Sequence, residues 1–320
     1  MNICHCVSRL FFSLLLASSA THAEGLRFGI LGKSTDDINF VDTWRGCDSE
    51  AQRFGDQCLH LGNAGPAHPR SQSRAIEAAL AKQNLDGLAI SVTSSRHIAR
   101  VLQNTKVPLF TFDSPFEPAD ARLSRAYIGI NNVEFGRSQA KLARQLRTKG
   151  GTLCIITAAH DTNLAQRVAG VRQELSGNPK FPADQTLSGE GGWSEPARCV
   201  WNTADDASRA NAELEYTLNQ IRPDVIISVG HWPVLNPSAY RQTVAPYLSK
   251  LQSGQLSIII GVGRVLPLQA ELLQDKLVSA FVSIDFKKMG QQAYQVMKAA
   301  AEGKPYAAVN ETPNQVRLAK

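Results

Sequence analysis

Short apolar runs alternate with longer amphipathic stretches along most of this chain. Residues 26–31, 58–61, 85–92, 108–112 and 126–130 are strand-length apolar runs bounded by turn residues. Between them, residues 40–54, 72–82 and 97–104 carry apolar side chains at helical spacing. Ile76, Ala79 and Leu80 are a clear case, and Gly55 supplies a stop for the first helix. The rhythm continues with strands at 152–157, 199–201, 224–229, 257–262 and 277–284. The helices of that part fall at 134–147, 164–175, 207–221, 240–251, 268–274 and 290–302. Such βαβα alternation predicts an α/β fold of doubly wound parallel sheets with helices on both faces. The chain is too long for one comfortable core, and its halves share a rhythm, so two similar lobes are expected. Residues 176–196 form the longest irregular stretch, and Gly189-Glu190-Gly191-Gly192-Trp193 within it reads as a flexible turn.

The amino terminus breaks this rhythm. Arg9 precedes an apolar run over residues 10–17, and Thr21-His22-Ala23 offers small residues at a cleavage position. This is a secretory leader pattern with cleavage expected after Ala23. The run is too short to span a bilayer, which takes about 20 residues. Composition is that of a globular protein, 43% hydrophobic and 19% charged. The formal charge is +6, and removing Arg9 with the leader leaves 33 − 28 = +5. These charges are scattered, so the chain lacks the basic stripe that a nucleic-acid partner requires.

Cleavage leaves Cys47, Cys58, Cys154 and Cys199. An even number in an exported chain points to disulfides. Of three connectivities, Cys47–Cys58 with Cys154–Cys199 is favoured, because each pair stays within one expected lobe. Four buried free thiols are the competing reading. The spacing lacks the close cysteine pairs of a zinc site, so no metal is expected.

Candidate chemistry sits at strand ends. The run at 108–112 stops at Asp113, which puts a carboxylate at the edge where open α/β sheets bind ligands. Asp37, Asn39 and Phe40 follow the first strand, and a carboxylate beside an aromatic face suits a polyhydroxyl or a cation. The strand at 224–229 runs into Gly230-His231-Trp232, a stacking ring beside a titratable donor. Competing structural readings exist: Asp36-Asp37 as a helix cap, Phe40 as core, Asp113 as a turn residue, Arg167 as an exposed helix residue, Trp232 packed under a loop. Gly32-Lys33-Ser34 invites a phosphate-loop reading, but that motif needs glycine where Arg27 stands. His160-Asp161 and His231 could serve acid–base catalysis, yet neither a nucleophile elbow nor metal spacing accompanies them, and no enzyme is expected.

Taken in order, these segments resemble the type 1 periplasmic binding proteins, the family of ribose and galactose binders that also supplies the LacI-type ligand domain. The resemblance spans the chain after the leader. It is carried by FGILGKSTDDINFVDTWRGCDSEAQRFG, QSRAIEAALAKQNLDGLAISVTSS, VPLFTFDSP, YIGINNVEFGRSQAKLA, NLAQRVAGVRQEL and FVSIDFKKMGQQAYQVMKAAAEGK. It implies two lobes joined by crossings near Ile130-Asn131, Ser283-Ile284 and residues 307–310. The first lobe would then hold 24–130 plus 285–307, and the second 131–284 plus 308–320.

The same resemblance implies a ligand set. Asp37 and Phe40 match the family's ligand loop, and Asn39 stands where an aromatic is common. Asp113 matches an acceptor of ligand hydroxyls, and Ser114 stands where sugar binders often have Arg. Arg167 matches a ligand-forking Arg, with Asn163 at the start of its helix. His231-Trp232 replace a usual Asn-Asp, Gly263-Arg264 replace a usual Asp, and Asp285 is a hinge or ligand group. The implied protein is a periplasmic monomer without cofactor that traps a small polar ligand. Its partner would be the membrane permease of an ABC importer, or alternatively a sensor histidine kinase or chemoreceptor.

Overall fold

A computed structural model describes residues 25–158 and 161–319 of the chain. The leader assigned to residues 1–23 and the candidate base His160 lie outside the described residues. The chain opens with β1 (Arg27–Leu31), α1 (Ile38–Ala51), β2 (Gln57–Leu61), α2 (Pro69–Lys82), β3 (Gly87–Ile90), α3 (Ser95–Leu102), β4 (Leu109–Phe112) and β5 (Tyr127–Gly129). There follow α4 (Asn132–Leu146), β6 (Gly151–Thr157), α5 (Thr162–Ser176), β7 (Trp193–Ser194), β8 (Val200–Asn202), α6 (Ala207–Tyr216) and β9 (Val225–Ser228). Next come α7 (Pro237–Val244), α8 (Leu248–Gln252), β10 (Ser257–Val262), α9 (Pro267–Gln274) and β11 (Ala280–Ile284). The chain ends with α10 (Phe286–Ala301), β12 (Val309–Glu311) and β13 (Asn314–Leu318).

Two sheets result. The first has the order β12-β5-β4-β3-β1-β2 and is parallel throughout. The second runs β13-β11-β10-β9-β6-β7, with β8 also on β6, and only β13 is antiparallel. The central strands β3, β4, β9, β10 and β11 are buried along their whole length. Parallel strands covered by helices on both faces need such continuous apolar runs, which is why the runs were legible.

The chain passes between the sheets after β5, after β11, and between β12 and β13. The third crossing falls at Thr312-Pro313 rather than at residues 307–310, because Val309–Glu311 pair with β5 and so remain with the first sheet. The edge strands β12 and β13 are mostly exposed, so no apolar run announced them. The helix expected over 240–251 is divided into α7 and α8 by a 3-10 turn, Ala245–Tyr247. Pro246 lies in that turn and lacks the N–H that a continuous helix needs.

Each sheet is flanked by one tightly apposed helix pair, α1 with α10 and α4 with α5. Glycines make the approach close enough. A Cβ on Gly290 would lie 1.8 Å from the carbonyl oxygen of Thr43, and one on Gly170 would lie 2.1 Å from that of Val133. We expect Gly290→Ala to force α1 and α10 apart and to cost about 1–3 kcal/mol, read as a lower urea midpoint at unchanged m. An unchanged midpoint would mean that the pair tolerates a wider spacing.

Cys47 bonds to Cys58 and Cys154 to Cys199, the favoured pairing. The stretch expected to be a flexible turn is anchored instead. Trp193 is only 1% exposed, and Glu195 forms a buried ion pair with Arg172. Its glycines supply positive-φ positions in a turn whose flanks are packed.

Candidate functional site

The carboxyl ends of both sheets face a cleft of about 490 Å³. From the first lobe come Lys33 and Ser34 after β1, Asp37, Asn39 and Phe40 at the start of α1, and Asp113 after β4. From the second come Asp161, Asn163 and Arg167 at the start of α5, Asp205 before α6, and Gly230, His231 and Trp232 after β9.

Asp113 is held in an unusual backbone conformation, with φ of 56°. Asp is among the few residues that accept this region without a large penalty. Its N–H donates to the Ile128 carbonyl at 3.0 Å, and its own carbonyl accepts from the Tyr127 hydroxyl at 3.0 Å. Burial, aided by the Asp113 charge, pushes the Tyr127 phenol well up, so it stays a donor. The Asp113 carboxylate accepts from Ser91 Oγ at 2.9 Å and lies 3.6 Å from Arg167 Nη2.

Arg167 is fully committed in orientation. Its Nε donates to Asn132 Oδ1 at 2.9 Å, its Nη1 donates to the Val229 carbonyl at 3.0 Å, and its guanidinium lies over the Phe135 ring. Packing on a ring and forked hydrogen bonds fix the one remaining nitrogen toward Asp113.

Lys33 crosses the cleft from the other side. Its Nζ donates to Asp161 Oδ2 at 2.6 Å and lies 4.0 Å from Asp113 Oδ2. Burial opposes its charge, but the carboxylates of Asp161, Asp113 and Asp205 outweigh burial and hold its pKa above the usual lysine value. Asp113 and Lys33 belong to the first lobe, Arg167 and Asp161 to the second, so two buried ion pairs span the cleft.

One further hydrogen bond and a longer contact also span it. Asn39 Nδ2 lies 2.9 Å from His231 Nδ1, and His231 Nε2 lies 3.6 Å from Asp37 Oδ2. These distances fit the tautomer in which Nδ1 accepts and Nε2–H faces Asp37. Trp232 donates its ring N–H to Asp205 Oδ1 at 2.8 Å and so fixes a further carboxylate on the cleft wall.

Several competing structural readings also hold. Asp37 caps α1 by accepting from the Asn39 N–H at 2.8 Å while lining the cleft. Phe40 packs edge-on against Phe112 and Phe286 and forms part of the cleft floor. Three expected ligand residues are not brought to the cleft lining. Ser114 is buried behind it, Arg264 pairs with Asp42 at 2.5 Å, and Asp285 is exposed and caps α10 by accepting from the Lys288 N–H. Lys33 and Ser34, weighed only as a phosphate loop, Asp36, weighed only as a cap, and Asp205, not singled out at all, also line the cleft, and Asp161 had been weighed only for acid–base work. Lys33 follows a strand end, the same signal that drew attention to Asp113.

Among the described residues, no group of three or more His, Cys, Asp or Glu could hold a metal ion. Among them, too, no helix is long and apolar enough to cross a membrane.

Solved structures share this architecture. GanP, a glucose-galactose binding protein from Geobacillus stearothermophilus, matches with a TM-score of 0.76 at 17% identity, over 92% of this chain and 98% of its own. An ABC transporter solute binding protein from Agrobacterium vitis, bound with α-D-tagatopyranose, matches with a TM-score of 0.76 at 16% identity, over 92% and 94%. A XylFII-LytSN complex matches with a TM-score of 0.73 at 16% identity, over 92% and 98%. At such identities the likeness shows the fold. No curated protein matches the sequence. The model of the periplasmic binding protein domain matches residues 28–305, and the chain belongs to that family.

Proposed function

We propose that this protein is a periplasmic solute-binding protein that traps a small, uncharged, hydroxyl-rich ligand and hands it to the membrane permease of an ABC importer. The observation that carries the reading is the cross-cleft cluster of Lys33, Asp161, Asp113 and Arg167. Its charges are already paired, so an uncharged ligand leaves the balance undisturbed. Its carboxylates and cations offer both acceptors and donors, the combination that a hydroxyl group satisfies. Because each lobe supplies one partner of each pair, a ligand seated there favours the closed arrangement over an open one. Phe40 and Trp232 add apolar surface for the carbon face of a ring. The reading requires no cofactor and no turnover. Delivery to an importer is supported by family membership and by relatives that are ABC solute binders.

A thermal-shift panel of sugars, polyols, amino acids and amines tests this. A sugar or polyol present at 100 times its Kd is expected to stabilise the protein by about 2.7 kcal/mol. Shifts produced only by amines or amino acids would sink the hydroxyl reading. Likeness to the XylFII-LytSN complex supports a second reading, in which a membrane sensor kinase reads the closed lobes. Deleting the gene separates them: loss of uptake of the labelled ligand supports transport, and retained uptake with a lost transcriptional response supports sensing.

A further inference from the structure

Beside the cleft lies an annex of about 340 Å³, opening from it at Asn39 and His231. Its walls are Ile38 from the first lobe and Val234, Leu235, Val262, Leu266 and Leu268 from the second. The polar side chains that reach it are bonded, though Arg264 only through its Nε and with its side chain 51% exposed. Asn39 is bonded to His231, and Arg264 is paired with Asp42. Gln269 donates to the Val234 carbonyl at 3.2 Å and accepts from the Leu266 N–H at 3.0 Å. The annex therefore presents apolar surface and has little with which to greet hydroxyl groups. At its rim, Leu235 and Leu268 are 44% and 55% exposed, large apolar side chains left in water.

We propose that the ligand carries an apolar alkyl or aryl substituent on its hydroxyl-rich head, with the head among Lys33, Asp113, Asp161 and Arg167 and the substituent in this annex. The inference rests on the functional reading above and narrows its substrate class. Continuity decides the occupant. The annex shares Ile38, Asn39, His231, Leu235, Val262, Gly263 and Leu266 with the cleft, so one molecule fills both by passing the Asn39–His231 gate. A free sugar or polyol would leave the annex walls wet, whereas a substituent takes them out of water.

The test compares methyl and n-hexyl glycosides of D-glucose, D-galactose and D-arabinose by titration calorimetry. For the head that binds, the hexyl glycoside is expected to bind at least about tenfold tighter than the methyl one. Leu268→Glu, at an exposed position that lines the annex and not the cleft, should abolish that advantage and leave methyl-glycoside affinity unchanged. Equal affinities for methyl and hexyl glycosides in the unmodified protein would overturn the proposal. So would an equal loss for both in Leu268→Glu. If the glycosides are all silent while a free sugar or polyol shifts the melting temperature, the hydroxyl reading stands and the annex assignment fails; if every sugar, polyol and glycoside is silent, both fail.

Discussion

Replacing Glu195 with alanine is expected to cost about 3–5 kcal/mol of folding stability, as breaking one side of a buried ion pair does. The pair is well formed. Arg172 Nε lies 2.8 Å from Glu195 Oε1, and Nη2 lies 2.9 Å from Oε2, with side chains 5% and 1% exposed. Arg172 Nη1 also donates to the Ala183 carbonyl at 2.7 Å, and the Leu187 N–H donates to Glu195 Oε1 at 3.0 Å. Alanine at 195 would leave a guanidinium without a counter-charge and an N–H without its acceptor. The loop between α5 and β7 would keep the Arg172–Ala183 bond but lose the tie that runs from Leu187 through Glu195 to the helix. The double replacement Arg172→Met with Glu195→Leu should recover much of the loss, because it removes both charges together. Glu50→Ala, at an exposed pair with Arg53, should cost no more than about 1 kcal/mol. Urea unfolding of the variants measures all three. A loss at Glu195→Ala no larger than at Glu50→Ala would show that the buried pair contributes nothing special.

This loop marks where sequence reading stops. Its glycines and serines are read correctly as turn residues, but what holds it is a helix residue reaching across to Glu195 and the buried Trp193. No local pattern encodes such a contact. Central strands were legible because burial on both faces leaves an uninterrupted apolar signature. Edge strands β12 and β13, exposed along most of their length, left none, and with them went the position of the third crossing.

The cleft divides in the same way. Asp113, His231 and Trp232 were legible because strand ends are where α/β sheets present side chains. The pairing of Lys33 with Asp161 was not, since the two lie 128 positions apart and meet only when the lobes face each other. Asp285 shows the limit of that signal. Its place after a strand suggested a hinge or ligand group; it sits at the crossing after β11, outside the cleft lining, where the helix that begins there uses its carboxylate as a cap. A helix start can claim a strand-end carboxylate outright, as at Asp285, or share it with the cleft, as at Asp37.

Asp113→Asn is the sharpest single test of the cleft. Asparagine keeps the side-chain shape, tolerates the positive φ of 56°, and still offers an oxygen to Ser91 Oγ. It removes the charge that faces Arg167 and Lys33 and the charge-assisted acceptor proposed for the ligand. Hydrogen bonds to charged groups are worth about 1.5–3 kcal/mol, so Kd for the sugar or polyol found by thermal shift should rise about 10- to 100-fold. Asp113→Ala should weaken binding as much and lower the melting temperature further, because alanine has no side-chain oxygen for Ser91 and fits the left-handed region poorly. Calorimetric titration of both variants, with melting curves taken without ligand, separates lost contact from lost fold. An Asn variant that binds within twofold of the unmodified protein would remove Asp113 from the ligand set, and the cross-cleft charges would then be a device for closing the lobes rather than for holding a solute.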